Sequence, residues 1–291
     1  MPRAGRPRLD EDRTPRWPKA LAGLCAIAVL LASGAWFARE RLGLFLGEEC
    51  RATAQEQEVS FRPDQMHHAS TIVALGVKRG LPARAGTIAV ATAIQESKLR
   101  NLSYGDRDSV GLFQQRPSQG WGSVDQLQDP VYAANAFYDA LIKVDGWAAM
   151  RITEIAQEVQ RSGFPEAYAD HEMEGRIIAS TMTGHSPAGF VCRLDGPTKA
   201  GRPDTFAAAV TRETGQTPSA QGQVITITAP GTRLAWSVAA WSVAQAKARN
   251  VVSVQVGDRE WTRGGGGSAM QWRHTTEPLP KTSVRVRLHE G

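Results

Sequence analysis

The chain alternates between segments with helical periodicity, segments with strand periodicity and short polar breaks. Over residues 70–78 and 87–99, apolar positions recur at mixed three- and four-residue spacing, which predicts two helices. Asp129-Pro130 opens a third through Ala133, Phe137, Leu141 and Val144, with Gly146 just past its end. A fourth begins near Thr153 and stops at Gly163-Phe164-Pro165. Between the second and third lies a stretch of different character, 101–122. Its glycines (105, 111, 120 and 122), polar residues and short apolar pieces predict turns with short strands.

The period changes after 222. Residues 223–228 (QVITIT) alternate as a strand does, 235–249 form an Ala-rich helical stretch, and 251–256 alternate again before a Gly257-Asp258 turn. Residues 283–288 (SVRVRL) are a last strand, and 264–268 (GGGGS) read as a flexible hairpin tip without the Lys-Ser/Thr of a phosphate loop. Residues 196–222, rich in Gly, Pro, Thr, Ser and Gln, read as a linker with a short helix around 206–210.

The longest apolar run is 20–38, which carries no charge. At a rise of about 1.5 Å per residue it reaches roughly 28 Å, close to the bilayer's hydrocarbon core. Arg3, Arg6, Arg8, Arg13, Arg16 and Lys19 precede it against Asp10, Glu11 and Asp12. The positive-inside rule therefore places 1–19 in the cytoplasm, with Trp36 near the outer interface. A cleaved signal peptide is the rival reading, with Ala32-Ser33-Gly34-Ala35 supplying small residues, but both the apolar run and the tail are long for one. We favour an uncleaved single-pass anchor in the plasma membrane, N-terminus cytoplasmic and bulk extracytoplasmic.

This topology changes the meaning of composition. The net charge is +5, and more than half of it sits in the tail, so the basic balance is not read as nucleic-acid binding. Hydrophobic residues make up 42% and charged residues 22%, which excludes wholesale disorder. Of three cysteines, Cys50 and Cys192 fall on the outer side. Two buried thiols would suit a reducing compartment; outside the membrane a disulfide is favoured. Closing so long a loop is worth on the order of 4–5 kcal/mol by the chain-entropy argument.

The stretch with most chemical content is 93–99 (AIQESKL). Glu96 falls near the end of an apolar helix beside the Gly-rich stretch. Partial desolvation there raises a carboxyl pKa and makes a general acid available near neutral pH. Alone, such a Glu is more often a solvated helix-end residue. Its company carries the argument: Glu96-Ser97, then Gly111-Leu112-Phe113-Gln114 with Pro117, then Asp129-Pro130 with Asn135 and Phe137-Tyr138. Over roughly 66–175 this order resembles the lysozyme-like superfamily, most closely domains of the soluble-lytic-transglycosylase type. The run 111–122 (GLFQQRPSQGWG) looks like a membrane-anchored bacterial subgroup of these.

The resemblance implies a mainly α, lysozyme-like (α+β) domain after a single transmembrane helix, with its cleft between helices and a small β region. It also implies cleavage of the MurNAc–GlcNAc β-1,4 bond of peptidoglycan glycan strands. Glu96 would protonate the leaving oxygen and then act as base on the sugar's own 6-hydroxyl, closing a 1,6-anhydro ring. Ser97, Gln114 and Gln115 would bind substrate. The family's Tyr-Asn-Ala-Gly run has no counterpart. The corresponding region is 155–168, where Gln157, Gln160, Ser162 and Tyr168 are the polar side chains, and Tyr168 is taken as a cleft residue. Asp106 or Asp108 could be the second carboxylate of a muramidase-type hydrolase, about 5 Å (retaining) or 6.5–9.5 Å (inverting) from Glu96. A turn, with Asp side chains on nearby backbone amides, is the preferred reading.

The histidines, among them His67-His68, His171 and His185, lack ligand spacing, so no metal and no cofactor is assigned. The predicted organisation is a cytoplasmic tail over 1–19, an anchor over 20–38, the lysozyme-like domain over 39–195, a linker over 196–222 and a small α+β domain over 223–291. That last unit is similar to accessory units found after wall-hydrolase domains. Its Trp236, Trp241, Trp261 and Trp272 could stack sugars or fill a core. Trp236 and Trp241 lie roughly 140° apart on one helix, so at least one is expected in the core. Two other readings stay open: a non-catalytic glycan-binding or scaffolding module, and a wall-opening component of an envelope secretion or conjugation apparatus with a protein partner.

Overall fold

The computed structural model describes residues 47–160 and 165–291, with side chains from 168 onward in the second segment. The tail and anchor expected over 1–38 lie outside them. Among the described residues no helix is long and apolar enough to cross a membrane.

The chain from Glu49 pairs strand β1 (Glu49–Ala54) with β2 (Gln57–Phe61) and enters helix α1 (Pro63–Lys78). Pro63 sits at the first helical position, where its missing N–H is not needed. Gln65 Oε1 accepts from the Arg62 backbone N–H at 3.0 Å. Asp64 in the first turn and Lys78 in the last complement the helix dipole. Helix α2 (Ala83–Ser97) is buried nearly all round, the signature of a central helix. It packs against α1, α4 (Pro130–Leu141), α5 (Ile152–Gln160) and α6 (Glu172–Met182). The short α3 (Val124–Leu127) leads into α4, whose N-cap Asp129 accepts from the Val131 N–H at 3.1 Å. Stretch 101–122 holds isolated bridges, Leu102 with Gly111 and Val110 with Gln115, and no named strand.

Strand β3 (Phe190–Arg193) joins β1 on the side opposite β2, placing Cys50 directly across from Cys192. The two form a disulfide. Both ends of the helical region are thereby tied to one sheet.

The C-terminal part is a six-stranded antiparallel sheet in the order β4-β5-β9-β6-β7-β8. Its strands are β4 (Pro218–Gln221), β5 (Val224–Thr228), β6 (Val251–Val256), β7 (Arg259–Thr262), β8 (Arg273–His274) and β9 (Ser283–Leu288). Residues 264–266 pass from β7 into a 3-10 turn (Gly267–Met270) rather than a bare hairpin tip, and the Gly264 carbonyl accepts from the Leu194 N–H at 3.0 Å. Helix α8 (Thr232–Ala244) covers β6 and β9 and also packs on α1, α6 and β3, followed by the short α9 (Ala246–Arg249). At the α6–α8 junction Gly184 has φ +78°, and a Cβ there would lie 2.0 Å from the Arg233 carbonyl oxygen, so only glycine fits.

The described residues from Gly47 to Gly291 belong to one compact unit. The segment 196–222, read from composition as a linker, contains α7 (Pro203–Ala209) and a π turn (Val210–Thr214). Phe206 and Val210 are buried, and the Phe206 ring lies 5.5 Å from that of Trp241. Apolar burial, invisible in a Gly/Thr/Ser-rich composition, orders this segment. Trp241, Trp261 and Trp272 are core residues; the half-buried Trp236 meets Trp272 edge-on at 5.1 Å.

Candidate functional site

Glu96 stands one residue before the end of α2. The helix stops because Lys98 and Leu99 both take left-handed backbone conformations, φ 55° and 57°. The Lys98 N–H then donates to the Ile94 carbonyl at 2.9 Å and the Leu99 N–H to the Ala93 carbonyl at 3.1 Å. Two non-glycine residues in this region cost of order 1 kcal/mol or more each. The Leu99 side chain is fully buried, which holds the turn in place.

The half-buried Glu96 carboxyl faces neutral donors. The Tyr168 hydroxyl donates to Oε1 at 2.6 Å, and the Gln160 side-chain amide lies beside the carboxyl and favours its ionised form. Burial pushes the Glu96 pKa above the ordinary glutamate range, and the donors of Tyr168 and Gln160 oppose that rise without cancelling it. Among the described residues Glu96 has no salt bridge with Arg, Lys or His. Tyr168 itself is 1% exposed. It reaches Glu96 from the 3-10 segment Pro165–His171.

The Gly-rich stretch is fastened beneath this corner. The Ser97 hydroxyl donates to the Leu112 carbonyl at 2.8 Å, and the Gln115 amide to the Ala133 carbonyl at 3.3 Å. Both side chains are buried. Both bond within the protein, while Gln115 Oε1 is buried without a hydrogen-bond partner among the described residues. Gln114 is half-buried; its amide donates to the carbonyls of Gly111 (3.1 Å) and Tyr104 (3.3 Å). Gly105 makes room for it, since a Cβ there would lie 1.8 Å from Gln114 Oε1. Phe113 stacks on Phe137 at 4.7 Å, and its carbonyl accepts from Gln160 Nε2 at 2.6 Å. Gln160 therefore spans from the stretch to the carboxyl.

The two aspartates differ. Asp108 accepts from Arg116 Nε (2.8 Å), the Ser118 N–H (2.8 Å) and the Ser118 hydroxyl (3.0 Å). Led by the Ser118 backbone bond, these hold its carboxyl far below the usual carboxylate range. Its acceptors are occupied in closing a turn. Asp106 is exposed and lies 3.9 Å from Arg107.

A second contact across the same corner was not singled out from sequence. Lys98 Nζ lies 3.4 Å from His171 Nε2, and His171 Nδ1 lies 2.6 Å from Glu174 Oε2. Its residues are separated by a whole helical region, and no local spacing announces them. Gln157 and Gln160, weighed with Tyr168 as polar candidates, both lie on α5; Ser162 is outside the described residues. Among the described residues no group of three or more His, Cys, Asp or Glu could hold a metal ion. No protein-family model matches the chain, and comparison with curated proteins gives no match either.

Proposed function

We propose that the protein is a membrane-anchored peptidoglycan lytic transglycosylase that uses Glu96 as its single acid and base. The observation that carries the reading is the Glu96 corner: a carboxyl whose pKa is raised by burial, which accepts from the Tyr168 hydroxyl, has the neutral Gln160 amide beside it and, among the described residues, makes no salt bridge. Such a group keeps its proton nearer neutral pH than a solvated glutamate does. In the reaction, Glu96 gives its proton to the glycosidic oxygen as the C1–O bond of the MurNAc unit breaks. The 6-hydroxyl oxygen of that same sugar then bonds to C1, and its proton returns to Glu96. No water is consumed. Tyr168 and Gln160 orient the carboxyl and stabilise it once it is ionised, a role for which their hydrogen-bond donors suit them.

A second reading is favoured by the same Tyr168 bond. A carboxyl engaged at 2.6 Å by a buried hydroxyl also fits a glycan-binding module that keeps the cleft without using the acid.

One experiment separates them. The full chain in detergent and its Glu96→Gln variant are incubated with purified peptidoglycan, and the released fragments are weighed by mass spectrometry. The lytic reading requires anhydro products from the wild type and a loss of about 100- to 10,000-fold in the variant. Hydrated reducing ends would mean hydrolysis by water. No release, with both proteins sedimenting with the wall, would establish the binding module.

A further inference from the structure

Next to Gln160 the surface opens into a cavity of about 600 Å³, within the range of small-ligand sites. It lies between α4, α5 and the turn after Pro117. Trp121, Asp139, Lys143, Glu158, Val159 and Gln160 are among its walls. Gln160 links it to the acid, because the same side chain lies beside the Glu96 carboxyl and lowers its pKa. The wall at Trp121 is preformed: the Tyr132 hydroxyl donates to the Trp121 carbonyl at 3.2 Å.

The charges in this cavity are distinctive. Asp139 is neutralised by Arg79 at 2.6 Å. Lys143, just past α4, and Glu158, on α5, make no ion pair or side-chain hydrogen bond among the described residues. One open cation and one open anion thus face the same space from different elements, above an apolar floor that includes Val159. An uncharged sugar chain has no use for this pair. A short peptide with free carboxylates, an amino group and small apolar side chains matches it.

We propose that this cavity binds the peptide stem carried by the glycan, Lys143 receiving a stem carboxylate and Glu158 its side-chain amino group. The assignment deepens the lytic reading and rests on it for the identity of the ligand. It makes the protein selective for peptide-bearing strands over stripped ones.

The test uses the full chain in detergent and a synthetic stem tetrapeptide free of sugar, containing a diamino acid, followed by NMR titration. Wild type should bind it, Lys143→Glu should weaken binding about tenfold, and acetylating the peptide's amino group should weaken it similarly. The double swap Lys143→Glu with Glu158→Lys should recover part of the loss. Thermal melting of each variant controls for folding. No binding by wild type, or equal binding by Lys143→Glu, overturns the proposal. The two readings fail separately. Peptide binding without any anhydro product would sink the lytic reading and leave the peptide site. Anhydro product formed equally fast from stem-bearing and amidase-stripped strands, with no peptide binding, would do the reverse.

Discussion

Glu96, half-buried, and Glu213, buried, are carboxylates of one compact unit, and their surroundings are opposite. Glu213, in the π turn after α7, accepts from the Thr71 hydroxyl at 2.7 Å and the Trp241 indole N–H at 2.9 Å, with Arg249 Nη2 3.6 Å away. Arg249 is in turn bonded through Nε to Gln245 Oε1 at 2.9 Å, and Gln245 Nε2 reaches the Ser70 hydroxyl at 3.1 Å. This network fastens α1 to α8 and to the segment between the two expected domains. Among the described residues Glu96 has neutral donors only, and it remains partly open. A buried carboxylate with a cation and a full set of donors is an anchor; one with neutral donors and some exposure can exchange a proton.

The largest expected effect breaks the anchor. Glu213→Ala leaves Arg249 buried without its counter-charge and strips partners from Thr71 and Trp241. It should cost about 3–5 kcal/mol in denaturant unfolding. A loss under 1 kcal/mol would show that the network is incidental.

The next effect belongs to the same corner. His67 and His68 are half-buried beside Glu213, Gln245, Arg249 and Asp64. Their pKa values are pressed down to about 4, first by burial, then by Arg249 for His67 and by His67 for His68. An unfolded histidine takes up its proton near pH 6.5. Stability from this pair is therefore full above about pH 6.5, falls as the pH drops towards 4, and levels below that. The loss should be on the order of 3 kcal/mol, and the double variant His67→Gln/His68→Gln should flatten the profile through that window. A wild-type profile already flat from pH 7 to 4 would refute the assignment.

Smaller effects sharpen the Glu96 side. Tyr168→Phe removes one hydrogen bond and should cost about 1 kcal/mol of stability. It should also raise the Glu96 pKa further, because the lost bond favours the charged form, a shift read by carboxyl-labelled NMR titration. Glu96→Gln should leave stability at pH 7 within about 1 kcal/mol of wild type, since it removes a carboxylate whose burial disfavours its charge. A large destabilisation there would make Glu96 another anchor and remove the contrast.

Much of the scaffold was legible. The strands expected over 251–256 and 283–288 are found with those bounds, and Asp129-Pro130 opens α4 as its cap and first helical residue. Strand alternation and helix-start chemistry are local, so a short window carries them. The linker reading of 196–222 allowed a short helix around 206–210 but missed that the segment is packed into the core, because the ordering force is burial of Phe206 and Val210 against residues far along the chain. Ser97 and Gln115, expected at the substrate, are buried ties in the structure, since a side chain's direction is decided by packing and not by its type. Tyr168, expected as a cleft residue, reaches the Glu96 carboxyl across a separation that no spacing rule spans.

By itself, then, the sequence determined the periods, the caps, the uncharged 19-residue run at 20–38 and the two cysteines that meet across β1 and β3. These follow from side-chain alternation, backbone valence and chain connectivity. The tertiary structure decided that the C-terminal sheet and its helix pack on α1 as part of one unit. It also decided that Glu96 is surrounded by neutral donors whereas Glu213 has a cation. Both outcomes depend on which distant surfaces exclude water together, and the same exclusion sets whether a carboxylate holds its charge or its proton.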